Sequence, residues 1–246
     1  MMKRIALVTG GMGGIGHAIS RELHDQGIRV IAAYSRKHEA ALAWQEAQKK
    51  EGYDFAIAYG NVTDFLSCDD MVKKAESEVG PIDILVNNAG ITEDHSCCKM
   101  KKEEWDIVIN TDLNSVFYVT RAVINGMKDR NYGRIINISS INGQKGQYGQ
   151  VNYSAAKAGI HGFTKALALE VAKHHVSVNT ISPGYVSTDM VMAVPEDIRD
   201  KIIAQIPMGR FAEPEEVARL VAFLADEKNG YITGTNISVN GGHYML

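Results

Sequence analysis

The sequence predicts one α/β domain in which a doubly wound, seven-stranded parallel sheet is covered by helices on both faces. Three observations lead to this fold class. Short, apolar, β-branched segments alternate along the chain with longer segments of helical periodicity. The connections are short, and helices between strands form right-handed crossovers that make the strands parallel. With 246 residues, 45% of them hydrophobic, the chain is large enough to bury such a core.

The elements follow one another in a regular order. Strands are predicted at residues 4–9, 29–34, 55–59, 82–87, 134–139, 177–181 and 236–239. Helices are predicted between the first six strands, and a further one precedes the last strand, at residues 14–26, 39–50, 69–79, 103–130, 153–173 and 214–225. No repeat, low-complexity tract or linker interrupts this order, so residues 1–246 are predicted to form a single dinucleotide-binding catalytic domain.

Charge and cysteine content exclude several classes of function. The net charge is −3, without a long block of one sign, so neither nucleic acid nor a membrane surface is predicted as a principal partner. No run of about 18 apolar residues suggests a membrane span. The N-terminal MMKRIALVTGG enters a strand without a signal-peptide pattern, and Cys68, Cys97 and Cys98 lack zinc spacing. We therefore expect a cytoplasmic protein with reduced thiols and no metal.

The first connection, TGGMGGIG at residues 9–16, joins a predicted strand to a predicted helix. Glycines there permit a tight turn and close approach of the backbone to a pyrophosphate. The helix N-terminus adds free N–H groups and a partial positive charge. A glycine-rich turn also occurs as a plain flexible connection, but its position after the first strand favours dinucleotide binding. The predicted contacts are Gly10, Met12, Gly13, Gly14 and Ile15.

The residues after the second strand indicate which dinucleotide is bound. An acidic residue there would bind the ribose hydroxyl of NAD, but the chain has Ser35, Arg36 and Lys37 instead. Arg36 can pair with a 2′-phosphate, and Ser35 can donate a hydrogen bond to it. The sequence therefore predicts NADPH as the cofactor. The alternative is a solvated basic loop.

Further turns follow the third, fourth and sixth strands, at the edge of the sheet where doubly wound folds place ligands. Small residues there let the backbone approach a cofactor, although Pro and Gly also serve simply to end a strand. The predicted cofactor contacts in these turns are Gly60, Asn61, Val62, Asn88, Ala89, Gly90, Ile91, Pro183, Gly184, Val186 and Thr188.

Tyr153 and Lys157 are predicted to share one face of a helix, and Ser140 follows the preceding strand. A phenol has a pKa of about 10, and a cation at ~4 Å in an effective dielectric of ~20 lowers it by at most about three units. Lys157 can thus prepare Tyr153 as the general acid for a carbonyl being reduced, while Ser140 holds the carbonyl oxygen. All three are predicted to be catalytic, and Tyr153 and Lys157 also to contact the cofactor. A chance Tyr–Lys spacing is the alternative.

Together these motifs resemble the short-chain dehydrogenase/reductase family. The resemblance covers essentially the whole chain, through residues 9–16, NNAG at 87–90, Ser140, Tyr153, Lys157 and Pro183-Gly184. It implies a Rossmann fold and a homotetramer. It also implies that Tyr153 is the proton donor, that Lys157 binds the nicotinamide ribose and lowers the tyrosine pKa, and that Ser140 polarises the carbonyl.

A narrower resemblance is to acetoacetyl-CoA reductases of polyhydroxybutyrate synthesis, through QKGQYGQ at 144–150, SPGYVSTDMV at 182–191 and NGGHYML at 240–246. It implies NADPH-dependent reduction of acetoacetyl-CoA to (R)-3-hydroxybutanoyl-CoA. Amides and phenols can hydrogen-bond a short 3-oxoacyl group. The implied substrate contacts are Asp94, Ser140, Gln147, Tyr148, Gly149, Gln150, Gly184 and Tyr185. The alternative for the loop at 144–150 is a solvated surface turn.

Two other functions stay open. The 3-oxoacyl-[acyl-carrier-protein] reductases of fatty-acid synthesis share the same chemistry, and Arg130, Lys173 and His174 offer a basic face for an acidic carrier protein. A dinucleotide-binding sensor without turnover is the second alternative, against which the intact Ser, Tyr and Lys argue.

Two positions depart from the family pattern. Asp112 stands where many members have an Asn that holds a water in a proton relay to the catalytic lysine. An ionised Asp accepts but does not donate hydrogen bonds, and it adds a negative charge. Asp112 is a fourth candidate catalytic residue, expected either to hold Lys157 through a water or to slow the relay. Met12 and Gly13 replace the arginine of the first turn in carrier-protein reductases, so Arg36 carries more of the cofactor selection.

Overall fold

A seven-stranded, all-parallel sheet forms the centre of the computed structural model, which describes residues 4–35 and 37–245, Met190 by its backbone only. The strand order is β3-β2-β1-β4-β5-β6-β7. The strands are β1 (Ile5–Val8), β2 (Arg29–Tyr34), β3 (Ala56–Tyr59), β4 (Ile84–Asn87), β5 (Gly133–Ile138), β6 (Val176–Pro183) and β7 (Asn236–Val239). The predicted fold class is confirmed, since helices flank this single parallel sheet on both faces.

Ten α-helices are present among the described residues. They are α1 (Gly14–Asp25), α2 (His38–Lys50), α3 (Phe65–Glu78), α4 (Lys102–Ile109), α5 (Ser115–Asp129), α6 (Asn142–Lys145), α7 (Val151–Val171), α8 (Asp189–Met192), α9 (Glu196–Ile203) and α10 (Pro214–Ala225). Within the described ranges, no helix is both long and apolar enough to cross a membrane.

Two apolar layers enclose the sheet. On one side Leu7, Leu85 and Ile135 pack with residues of α3, α5 and α7. On the other side Val86 and Ile136 pack with residues of α1 and α10. Burial on both faces explains why the strands read as continuous apolar runs rather than alternating ones. Each fully buried aliphatic side chain stabilises the fold by about 1.5–3 kcal/mol, so this sandwich holds the strand ends in fixed positions.

The position of the site follows from the strand order. β1 pairs with β2 on one side and with β4 on the other, so the chain reverses its direction across the sheet at this point. The loops after β1 and β4 therefore leave toward opposite faces and open a crevice at the carboxyl ends of the strands. The glycine-rich turn and the NNAG segment form the two sides of this crevice.

The prediction of one continuous helix over residues 103–130 is wrong. α4 ends at Ile109, a π-helical turn (Asn110–Asn114) follows, and α5 begins at Ser115. π turns are rare and often lie at functional sites. This one carries Asp112, which is fully buried at 0% exposure. The sequence prediction also missed α6, α8 and α9, which are short.

Candidate active site

The three predicted catalytic side chains lie together. Tyr153 and Lys157 share one face of α7, with Lys157 Nζ 5.4 Å from the centre of the Tyr153 ring. Ser140 directly follows β5 and lies with both of them in the wall of one cavity of about 540 Å³. The Ser140 hydroxyl oxygen accepts the backbone N–H of Asn142 at 3.1 Å, which fixes its position beside the phenol.

Lys157 is held by two buried acceptors. Its ammonium donates to the Ile138 carbonyl at 3.1 Å and lies 3.2 Å from Oδ2 of Asp112. The other carboxylate oxygen of Asp112, Oδ1, accepts the backbone N–H of Ile91 at 2.9 Å. A separation of 3.2 Å leaves no room for a bridging water, so the expectation of a water-mediated contact between Asp112 and Lys157 is wrong. The contact is a direct, buried ion pair.

Burial and charge oppose each other at these groups. Burial raises the pKa of the Tyr153 phenol; Lys157 and the Ser140 hydroxyl lower it, and Asp112 raises it further. The net direction is upward from the ordinary pKa of 10.0, while Lys157 acts in the predicted, downward direction. Burial lowers the pKa of Lys157, but Asp112 and Tyr153 raise it more, and Lys157 stays protonated at neutral pH.

The pKa of the Asp112 carboxyl is not lowered, as it would be in an exposed ion pair. Burial raises its pKa above the ordinary value of 3.8, while the Lys157 ammonium and the Ile91 N–H act to lower it. The net shift of the Asp112 pKa is upward because a fully buried carboxylate loses more free energy of hydration than one neighbouring cation offsets. Both neighbours nonetheless stabilise the ionised form of this carboxyl at its place in the site.

The glycine-rich turn is fastened to the loop after β4. The Thr9 hydroxyl oxygen accepts the backbone N–H groups of Asn88 at 2.9 Å and Ala89 at 3.0 Å. The Asn88 amide donates in return to the Thr9 carbonyl at 3.0 Å and the Gly10 carbonyl at 3.3 Å. The sequence analysis gave Thr9 no role of its own. The signal was present as a hydroxyl residue at a strand end directly before a glycine turn.

The turn has the shape that a dinucleotide requires. Gly10 and Gly14 have φ angles of 62° and 49°, which favour glycine. A Cβ on Gly16 would lie 2.6 Å from the Asn88 amide nitrogen, so the first turn of α1 can pack closely only without a side chain. The N-cap of α1, Gly13, has no side-chain cap. The first N–H groups of α1 can therefore bind a pyrophosphate, and the residues fit this cofactor class.

The 540 Å³ cavity brings together most of the predicted cofactor contacts. Those in its wall besides Tyr153 and Lys157 are Gly10, Gly13, Gly14, Ile15, Asn88, Ala89, Gly90, Ile91, Pro183, Gly184 and Thr188. The same cavity is also lined by four residues that no motif predicted: Thr92, Ile138, Ser139 and Asp189. Each is adjacent in sequence to a residue of the cavity, and that adjacency could have indicated them.

A larger cavity of about 740 Å³ lies elsewhere, along the edge strand β3 between α2 and α3. Its wall includes Tyr34, Leu42, Tyr59 and Met71. It contains neither the glycine-rich turn nor the Ser, Tyr and Lys side chains. The choice of the 540 Å³ cavity as the candidate site therefore rests on the chemistry of its wall and not on its size.

Other predicted cofactor contacts lie outside the 540 Å³ cavity: Met12, Ser35, Gly60, Asn61, Val62 and Val186. Val62 and Val186 are 9% and 4% exposed and belong to the two apolar layers. The side-chain oxygen of Asn61 accepts the N–H and the hydroxyl of Thr63. Arg36 lies outside the described residues. Contact of these residues with a cofactor stays a prediction.

Two of the predicted substrate residues contact each other. The Gln150 amide donates to the Asp94 carboxylate at 2.8 Å and accepts from the Asn142 amide at 2.9 Å. Asn152, at the start of α7, donates to the Glu93 carbonyl at 2.9 Å. These bonds tie the loop after β4 to the helix that carries Tyr153 and Lys157.

The other predicted substrate residues are more open. Gln147 is exposed, Tyr148 is 89% exposed, and Gly149 has a φ of 83° that favours glycine. Tyr185 stacks on His243 with 6.0 Å between ring centres. Substrate contact of these residues stays a prediction.

His161 adds a network that the sequence did not reveal. Its Nε2 lies 2.9 Å from the Ser139 hydroxyl and 3.3 Å from the Ser182 hydroxyl. Ser139 donates its single hydroxyl proton to the Lys157 carbonyl at 2.8 Å, so the Nε2–H of His161 donates to the Ser139 oxygen. Burial lowers the pKa of His161 and keeps the ring neutral. His161 thus fastens the end of β5, beside Ser140, to α7.

Comparison with known proteins relates the whole chain to enzymes. The short chain dehydrogenase family matches residues 4–199. An acetoacetyl-CoA reductase of Cupriavidus necator is 54% identical over 245 residues, covering 100% of both chains. One of Allochromatium vinosum is 54% identical over 245 residues, covering 99% of this chain and 100% of its own. A 3-oxoacyl-[acyl-carrier-protein] reductase of Vibrio harveyi is 45% identical over 243 residues, covering 99% and 98%.

Proposed function

The chain belongs to the short chain dehydrogenase family, and we propose that it is a cytoplasmic, NADPH-dependent acetoacetyl-CoA reductase that supplies (R)-3-hydroxybutanoyl-CoA for polyhydroxybutyrate synthesis. Members of this family use nicotinamide dinucleotides. The observation that carries the proposal is that Ser140, Tyr153 and Lys157 line one cavity with the glycine-rich turn. The full-length similarity to acetoacetyl-CoA reductases supports the choice of substrate.

Tyr153 and Ser140 act on the ketone oxygen of the substrate. Tyr153 donates its phenolic proton to this oxygen as C3 is reduced. Ser140 donates a hydrogen bond to the same oxygen, where negative charge grows. The bond from the Asn142 N–H holds the Ser140 oxygen in the site, where the hydroxyl can donate to the ketone oxygen.

Lys157 orders the cofactor side of the site. A bound reduced nicotinamide supplies the hydride. An ammonium has three N–H donors; Lys157 donates one to the Ile138 carbonyl and lies 3.2 Å from Asp112 as its ion-pair partner. A remaining donor would contact the nicotinamide ribose. The glycine-rich turn and the N-terminus of α1 bind the pyrophosphate.

NADPH is proposed over NADH because no carboxylate follows β2, which ends at Tyr34. Ser35 and Arg36 come next in the sequence, and an arginine pairs well with a 2′-phosphate.

A carrier-linked substrate is the second candidate, because the Vibrio harveyi relative is named for one. One residue of the basic face expected to dock a carrier protein is already engaged. The Arg130 guanidinium donates to the Ile82 carbonyl at 2.6 Å and lies 3.7 Å from the Asp83 carboxylate. This favours the CoA thioester over the carrier protein.

We also propose a homotetramer. α5 and α7 leave large apolar side chains exposed in the single chain, among them Phe117 at 47% and Leu169 at 85%. Exposed apolar surfaces of this kind mark protein interfaces. Sedimentation velocity of the purified chain should give four times the monomer mass, and a monomer would contradict this part of the proposal.

The deciding experiment follows NADPH absorbance with acetoacetyl-CoA and with the same acyl group on acyl carrier protein. We expect a higher kcat/KM for the CoA thioester and an (R) product by chiral chromatography. Tyr153→Phe is the matched control, which should bind NADPH but lose turnover. A higher kcat/KM with the carrier protein would favour the second candidate. NADPH binding without turnover of either substrate would favour a sensor.

A further inference from the structure

Three titratable groups lie in series beside Ser140; Asp112 and Lys157 are buried, and Tyr153 is half-buried. Asp112 comes from the π-helical turn and contacts Lys157 at 3.2 Å, and Lys157 Nζ lies 5.4 Å from the Tyr153 ring centre. The position of Asp112 is fixed from two sides. Its Oδ1 accepts the Ile91 N–H at 2.9 Å, and its Oδ2 lies 3.2 Å from the Lys157 ammonium.

The charges of this series determine which form of the phenol is favoured. A lone ammonium 5.4 Å away, in an effective dielectric of about 20, would lower a phenol pKa by roughly two units. Asp112 places a negative charge against that ammonium and cancels much of its field at Tyr153. The site therefore stabilises the neutral phenol better than a site with Lys157 alone would.

We propose that Asp112 is a counter-charge that keeps Tyr153 protonated, and so extends to higher pH the range over which the chain can donate a proton in reduction. The inference rests on the proposed reductase function and deepens it. In reduction, C3 accepts the hydride and its oxygen takes the Tyr153 proton, which leaves a phenolate to be reprotonated. The reverse oxidation needs the phenolate as base, so Asp112 moves that reaction to higher pH.

The other groups that face Tyr153 do not replace Asp112. Lys157, on the same helix, and the Ser140 hydroxyl, at the end of β5, both favour the phenolate. Asp94, from the loop after β4, acts in the same direction as Asp112, but it is exposed and its effect on the pKa of Tyr153 is the smallest. Burial of the phenol and the charge of Asp112 are therefore the main causes that keep it neutral.

Asp112→Asn tests the inference, because an amide fills the same space and can still accept the Ile91 N–H but carries no charge. The first readout needs no turnover: a 13C NMR titration of tyrosine Cζ, with the Tyr153 signal assigned by its loss in Tyr153→Phe. We expect the Tyr153 pKa to fall by about one unit, a tenfold change in its ionisation constant. The second readout is the pH profile of kcat/KM for reduction. The apparent pKa of its alkaline limb should fall by the same amount.

Asp83→Asn is the matched control. Asp83 is also buried, at 8% exposure, but it lies at the opposite end of the sheet beside Arg4 and Arg130. Both variants remove a buried carboxylate, and only Asp112→Asn should move the Tyr153 titration. If Asp112→Asn does not fold, Asp112→Ser carries the same expectation.

The outcomes separate the two proposals. An unchanged Tyr153 titration in folded Asp112→Asn would overturn the inference about Asp112. A shifted titration in a chain that does not reduce acetoacetyl-CoA would support the counter-charge and overturn the proposed substrate instead.

Discussion

Replacing Lys157 by methionine tests the buried ion pair directly. The substitution keeps an unbranched side chain but removes the ammonium, so the fully buried Asp112 loses the cation 3.2 Å away. Breaking a buried pair by removing one partner costs about 3–5 kcal/mol of the free energy of unfolding. For a chain of this size each kcal/mol lowers the Tm by about 2–4 °C, so Lys157→Met should lower it by about 6–20 °C.

The assay is thermal unfolding at one fixed protein concentration, because self-association adds to apparent stability. The double variant Lys157→Met/Asp112→Leu removes both charges and should regain most of the lost stability, since an apolar pair can replace a buried ion pair. Lys165→Met is the control, as it removes an exposed lysine of the same helix. A Lys157→Met chain as stable as the wild type, or a double variant as unstable as the single one, would refute the reasoning.

Three further predictions test other parts of the chain. Arg36→Ala should raise the KM for NADPH about tenfold or more and leave the KM for NADH nearly unchanged. The control Lys37→Ala should change neither KM. An equal rise in both KM values would count against a 2′-phosphate contact. His161→Leu should lower the free energy of unfolding, measured in urea, by about 1–3 kcal/mol. His161→Gln keeps an N–H donor and should lower it clearly less. Equal losses in the two variants would contradict the donor role. Burial raises the pKa of the Cys68 thiol to about 12, so mass spectrometry should find it unmodified by an alkylating reagent after the two exposed thiols have reacted; early modification would contradict this.

Local patterns were sufficient to predict the sheet and to indicate a candidate site. Apolar, β-branched runs predicted each strand, because a strand buried on both faces needs apolar residues throughout. The glycine-rich turn and the Tyr153–Lys157 spacing predicted the site, because both depend on residues close together in sequence. The cavity that holds Gly10, Ser140 and Tyr153 agrees with that prediction.

Other features of the site depend on contacts between residues far apart in sequence, which local patterns do not encode. Asp112 and Lys157 are far apart in sequence, and their direct contact arises only because the π-helical turn directs Asp112 inward. No Gly or Pro interrupts residues 103–125, so the segment 103–130 reads as one helix. The balance between burial and charge at Tyr153 likewise depends on packing from several elements. For the loop with Tyr148 the sequence left substrate contact and a solvated turn both open, and Tyr148 is 89% exposed.

The π-helical turn also makes the length of its segment part of the active site. Deleting one residue between α4 and α5 would allow an uninterrupted α-helix, which is ordinarily the more stable arrangement of such a stretch. Each residue of an α-helix turns about 100° around its axis, so the carboxylate would rotate out of reach of the lysine. A substitution in this stretch changes one side chain, whereas a change in the number of residues would separate the two charges at once.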